Sequence, residues 1–162
     1  MYLNKSGFNG LWRVNSNGQN NVPYGKHKKL NLFPSSLRND AYYLENNDVK
    51  IINYDFRDAV STAQKNDFVY FDPPYIPLTP TSSFTNYTKN GFGMVQQKEL
   101  RDLAISLTHK NVKVMISNSS SEITKELYKS KTFKIRTVRA GRAINSNGKK
   151  RGKVDEFIIT NY

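Results

Sequence analysis

Asp72-Pro73-Pro74-Tyr75 follows directly on the apolar run Phe68-Val69-Tyr70-Phe71, and its residue types suit an exocyclic amine. The lone pair of such an amine is delocalised into its ring, so the nitrogen attacks poorly until it is drawn toward tetrahedral geometry. Asp72 can accept a hydrogen bond from one N–H, and the Pro73 backbone carbonyl from the other. Tyr75 offers a ring face on which a base can stack. Consecutive prolines fix φ and remove two donors, so the strand stops at Asp72 and its carbonyls point outward as acceptors. Open α/β sheets bind ligands at that end of a strand. The implied chemistry is methyl transfer to nitrogen; the plain alternative is an Asp-Pro turn closing a buried strand.

The elements that must position this turn alternate along the chain. Leu100, Leu103, Ala104 and Leu107 have the i, i+3, i+4, i+7 spacing of a helix packed on a sheet, predicted over Val95 to Lys110. Strands are expected at Lys50 to Asn53, Phe68 to Asp72, Val112 to Ser117, Phe133 to Val138 and Val154 to Thr160. Further helices are expected from Pro34 to about Asn47, capped by Ser35 or Ser36, from Arg57 to Gln64, and from Glu122 to about Lys129. The first thirty-odd residues lack a sustained period and read as an ordered loop or small β element. Ile76 to Gly93 reads as a long functional loop, and Gly91-Phe92-Gly93 as a helix entrance, since no strand precedes it. The fold class is α/β.

Composition narrows the function. The 162 residues are enough for a single globular core. No apolar stretch approaches the ~18 residues of a membrane span, and no signal-peptide pattern opens the chain, so cytoplasmic residence is expected. There is no cysteine, which excludes disulfides, thiolate–metal sites and the thiol nucleophile that cytosine C5 methylation requires. Neither His27 nor His109 has a partner pattern for a base or metal ligand, and no metal site is assigned. Lys and Arg number 25 against 13 Asp and Glu, a net charge of +12. That balance favours a polyanion, with nucleic acid the simplest candidate, and the alternative is a merely soluble basic surface. Basic residues concentrate at Lys26-His27-Lys28-Lys29 and across Arg136 to Lys153.

Several segments in order resemble the Dam-type (D12 class, alpha-group) DNA adenine-N6 methyltransferases. Besides Asp-Pro-Pro-Tyr they are Tyr2-Leu3-Asn4-Lys5, Gly7 through Asn15, Asn21-Val22-Pro23-Tyr24-Gly25, Phe84-Thr85-Asn86-Tyr87, Ile116-Ser117-Asn118, and Ser146-Asn147-Gly148 through Lys153-Val154-Asp155-Glu156. The resemblance implies a partial Rossmann-like methyltransferase sheet with helices on its faces. It also implies a target-recognition segment over residues 1–48 and the C-terminal part of a catalytic domain over 49–162. The implied activity is methyl transfer from S-adenosyl-L-methionine to adenine N6 in double-stranded DNA, with GATC the family's usual site.

By the same resemblance Asp72, Pro73, Pro74 and Tyr75 are catalytic, and Asp72 also meets the cofactor's methionine end. Asp55 and Phe56 resemble the place where the cofactor's adenine is held, although Asp55 reads equally as a helix N-cap. Arg13 is of the type that bridges guanine O6 and N7, Asn9 pairs with a base edge, and Leu11 and Pro23 sense a thymine methyl. Phe8 would fill the stack after the adenine flips out. Lys5, Asn15 and Lys26 would hold phosphates, and Arg139 and Arg142 would lie beside the DNA backbone. Turn formation for the asparagines and solvated surface charge for the lysines are the competing readings.

The family's opening Phe-x-Gly-x-Gly segment has no counterpart here. The expectation is therefore a truncated gene, an internal start or half of a split enzyme. A complementing N-terminal chain or self-association would then cover an exposed sheet edge. Two other functions stay open: a catalytically silent DNA-binding protein, and a methyltransferase acting on RNA or a protein amide.

Overall fold

The computed structural model describes residues 2–26, 28–30, 32–78, 92–141 and 152–162. The chain divides into two compact units, Met1–Ile51 with Gly141–Lys153, and Ile52–Ala140 with Val154–Tyr162. Among the sequence expectations, Arg142, the 84–87 and 146–148 segments, His27, Gly91, Lys149, Lys150 and Arg151 lie outside the described residues.

In the first unit, helix α1 (Tyr2–Ser6) runs into a short 3-10 turn, Phe8–Gly10, and helix α2 spans Ser36–Asn46. The opening was expected to be loop or β, and α1 was not foreseen, because five residues are too short to show a helical period. Bridges Gly7 to Tyr24 and Val14 to Asn20 close a small irregular β element. The Phe8 N–H donates to the Pro23 carbonyl at 2.8 Å, and the Gly25 N–H to the Ser6 carbonyl at 2.8 Å. Helix α2 starts where expected, but Ser35 caps it without a side-chain hydrogen bond.

The second unit carries helix α3 (Phe56–Ala59), strand β1 (Phe68–Phe71), helix α4 (Met94–His109), strand β2 (Lys113–Ser119), helix α5 (Glu122–Tyr128), and strands β3 (Lys134–Gly141) and β4 (Lys153–Thr160). The sheet order is β1-β2-β4-β3, with β1 parallel to β2 and β2 antiparallel to β4. Lys50–Asn53 is not a strand. Its apolar residues suit one, but a strand exists only through a neighbour's hydrogen bonds, and among the described residues this segment pairs with none.

Register decides which face is buried. Val69 and Phe71 of β1 lie beside Val114 and Ile116 of β2, and this row belongs to a core with Leu100, Ala104 and Leu107 of α4. Each fully buried Leu or Ile there contributes about 1.5–3 kcal/mol of transfer free energy. Gly93 caps α4, its N–H donating to the Gln96 Oε1 at 2.9 Å, which agrees with the helix entrance read from the sequence.

Close approach makes one glycine in the first unit obligatory. A Cβ on Gly7 would sit 2.7 Å from the Leu3 carbonyl oxygen and 3.2 Å from Val22 Cγ1. Gly7→Ala is expected to destabilise the protein by about 1–3 kcal/mol. Urea denaturation checks this, and an unchanged midpoint would show that α1 is free to move away.

Candidate active site

The parallel pairing of β1 and β2 constructs the site. Phe71 is in register with Ile116, so the next residues, Asp72 and Ser117, emerge side by side at the carboxyl ends of the strands. Ser117 Oγ donates to Asp72 Oδ1 at 2.7 Å, and the Tyr70 hydroxyl donates to Ser117 Oγ at 3.0 Å. This relay fixes the orientation of an otherwise exposed carboxylate. Among the described residues no donor reaches Asp72 Oδ2 or the Pro73 carbonyl.

Asp72, Pro73 and Pro74 line a cavity of about 260 Å³ with Phe56, Tyr70, Phe71, Phe92 and Leu100. Its walls are mainly aromatic and aliphatic, with a carboxylate among them. Phe56 meets Phe92 edge-on, with ring centroids 5.8 Å apart, and the Arg57 guanidinium lies 5.1 Å from the Phe56 ring centroid. The structure therefore brings Phe56 to the Asp72 turn.

Asp55 caps α3, accepting from the Arg57 N–H at 3.0 Å, and pairs with the Arg57 side chain at 2.8 Å. Those bonds, the side-chain one first, hold its carboxyl below the usual value. The N-cap reading of Asp55 is thus realised, and Oδ2, taking only a 3.3 Å bond from Arg57, keeps lone pairs for a further donor.

Tyr75 donates its hydroxyl to Glu156 Oε2 at 3.2 Å. Burial first, opposed by the Ser117 hydroxyl and reinforced by the negative charges of Glu156 and Asp72, raises its phenol above the ordinary value. The group therefore stays a donor throughout the neutral range.

The recognition candidates fall in the first unit, Arg139 excepted. Arg13 donates through Nε to Asn21 Oδ1 at 2.8 Å and through an η nitrogen to the Asn21 carbonyl at 3.1 Å. This fixes the guanidinium plane and leaves its other N–H groups for a partner. Phe8, which is exposed, is tied to Pro23 by its own N–H. Asn9 sits at φ 55, a left-handed conformation that asparagine tolerates. Asn15 organises a turn, its Oδ1 accepting from the Asn17 and Gln19 N–H groups at 3.0 Å each. Lys5 and Lys26 are exposed, and Leu11 is half-buried. Arg139 lies 3.7 Å from Asp155 and is largely exposed.

Sequence reasoning missed Ser117, Glu156, Gln97, Asn118 and Asn21 as supporting groups. The available signal was polarity where burial was expected: Asn118 follows Val114 and Ile116 on the core-facing row of β2, and Ser117 beside it is buried on the opposite face. Among the described residues no group of three or more His, Cys, Asp or Glu is placed to hold a metal, and no helix is long and apolar enough to cross a membrane.

A mixed sheet with an acidic Pro-Pro turn at the end of a parallel strand defines an α/β protein of the methyltransferase type. A model of the D12 class N6 adenine-specific DNA methyltransferases matches residues 1–144, and the chain belongs to that family. It is 49% identical over 163 residues to Type II methyltransferase M1.LlaDCHI of Lactococcus lactis subsp. cremoris, covering all of this chain and 57% of the relative. It is 42% identical to Type II methyltransferase M.MjaIII of Methanocaldococcus jannaschii, covering 100% of the chain and 56% of the relative. It is also 37% identical to a DNA adenine methylase of Salmonella typhi, covering 98% and 55%. The chain thus spans a little over half the length of these relatives.

The raised Tyr75 phenol has a pH consequence. Its contribution to stability is complete below the unfolded tyrosine value near ~10 and is lost as pH rises through the higher folded value. Alkaline titration of stability is expected to be shallower in Tyr75→Phe than in the parent; an identical slope would show that Tyr75 ionises like a solvent-exposed tyrosine.

Proposed function

We propose that this chain carries the catalytic turn and target-recognition segment of a site-specific DNA adenine methyltransferase that methylates adenine N6. The observation that carries the reading is a pair of acceptors that no donor among the described residues reaches, Asp72 Oδ2 and the Pro73 carbonyl, beside an aromatic-walled cavity. An amine at that position donates one N–H to each. The lone pair is withdrawn from ring conjugation and becomes available to a methyl carbon, and Asp72 can accept the proton the nitrogen sheds. Tyr75 stacks the flipped base, with its ring held through Glu156.

S-adenosyl-L-methionine is the proposed methyl donor. The Phe56 ring and Asp72 at the cavity suit an aromatic base and a cationic amine, and Asp55 has an acceptor to spare. When bound, the donor supplies an electrophilic methyl on positively charged sulfur. At about 260 Å³ the cavity is below the ~300–1,000 Å³ usual for cofactor-sized ligands, which supports a pocket shared with further polypeptide. A complementing N-terminal chain fits that need. Phe68 and Tyr70 of β1, at the sheet edge, are 55% and 51% exposed, and self-association through the same strand is the competing arrangement.

In duplex DNA, Arg13 reads guanine, Leu11 and Pro23 contact thymine, Asn9 meets a base edge, and Phe8 fills the vacated stack. That set is consistent with GATC. Lys5, Asn15, Lys26, Arg139 and Arg142 meet the backbone, and a DNA substrate of this kind implies cytoplasmic residence and suits restriction-modification. A silent DNA-binding role is the second reading, favoured by the exposed Lys5, Phe8 and Arg13 of the first unit.

Asp72→Ala, with the chain complemented to its relatives' length, is expected to lower methylation by at least about 10²–10³-fold while duplex binding survives. Retained methylation would defeat the assignment. Calorimetry with S-adenosylmethionine separates the second reading, because measurable affinity of the chain alone would weaken the case for a silent protein.

A further inference from the structure

The prolines that free the acceptors of the turn also deprive it of internal hydrogen bonds, since neither has an N–H. Its shape must be imposed from outside. The carbonyl of Pro74 accepts from Gln97 Nε2 at 2.7 Å, and the N–H of Ile76 donates to Asn118 Oδ1 at 3.0 Å. The two amide side chains are joined, Asn118 Nδ2 donating to Gln97 Oε1 at 3.2 Å. Both are buried, Gln97 at 1% and Asn118 at 0% exposure.

The direction of this chain of bonds is fixed by chemistry. Asn118 Oδ1 accepts from two backbone N–H groups, those of Ile76 and Ser119, the latter at 2.8 Å. Its Nδ2 must then face Gln97, whose oxygen receives it, and the Gln97 nitrogen must face Pro74. No flipped arrangement satisfies all four contacts. A polar pair buried on α4 and β2 therefore grips the turn at both ends of Tyr75, occupying the Pro74 carbonyl and, among the described residues, leaving that of Pro73 open.

We propose that Gln97 and Asn118 are positioning residues for methyl transfer: together they set the Pro73 carbonyl and Tyr75 in the geometry that receives the target base. This rests on the adenine methyltransferase reading and goes beyond it, assigning roles to two side chains that touch neither base nor donor.

Gln97→Glu supplies a test because it keeps size and makes the donor depend on pH, present in the protonated acid and absent from the carboxylate. A carboxylate facing the Pro74 carbonyl repels it, whereas the protonated acid donates to it. In the form of the protein that transfers methyl, alone or complemented, the single-turnover rate of Gln97→Glu is expected to fall about 10- to 100-fold at alkaline pH, where the acid is ionised. Duplex Kd should stay within about twofold, and the deficit relative to the parent should shrink as pH is lowered. Asn118→Asp, which keeps the acceptor for Ile76, should show the smaller loss of the two.

Amide exchange at Ile76 is read in parallel, with Asn118→Ala expected to speed it at least about 10-fold. A deficit independent of pH, or an unchanged rate, would overturn the proposal. If the parent itself transfers no methyl in either form, the enzymatic reading has failed. The grip is then judged on Ile76 exchange alone: acceleration supports it and unaltered exchange refutes it.

Discussion

Among the described residues the carbonyl of Pro73 and one oxygen of Asp72 are left open, because neighbouring donors are committed elsewhere. Ser117 satisfies the other oxygen of Asp72, and Gln97 takes the next carbonyl along. Asp72 is exposed and Pro73 half-buried, so their open acceptors can be hydrated until a ligand replaces the water. Here two consecutive prolines, lacking an N–H, keep the local backbone from supplying a donor. An amine with two N–H bonds is the complement of that arrangement.

The fold contributes through register. Parallel pairing of Phe71 with Ile116 places Asp72 beside Ser117, and the same strand delivers Asn118 a residue later. A slip of one position would exchange the faces, burying Phe68 and Tyr70 and moving the serine away from the acid. The apolar row through Val69, Phe71, Val114 and Ile116 prevents that slip. Packing against α4 therefore holds the hydrogen bonds at the site, and α4 itself provides Gln97.

Much of this was legible in the chain. The helical stripe of Leu100, Ala104 and Leu107 and the apolar runs of β1, β2 and β4 appear within a residue or two of their expected bounds. Lys50–Asn53 misled because β-branched and apolar residues describe a preference, whereas a strand needs a partner that composition does not supply. Helix α1 escaped because a single short turn shows no period and is held from outside, the Gly25 N–H donating to the Ser6 carbonyl among its contacts. The turn was readable because proline constrains its own backbone. Its supports were not, since Gln97 and Asn118 act across sequence separations of 23 and 42 residues. In hindsight Gln97 continues the buried stripe of α4 one turn earlier, a polar residue at a position that pattern reserves for apolar ones.

The most direct measurement is a structure of the protein, completed to its relatives' length, with a duplex containing the target adenine and a non-reactive analogue of the methyl donor. The account predicts the adenine out of the stack, with N6 about 2.7–3.2 Å from both Asp72 Oδ2 and the Pro73 carbonyl. A base still paired in the duplex, or an amine bonded to other groups while those two acceptors face water, would contradict it.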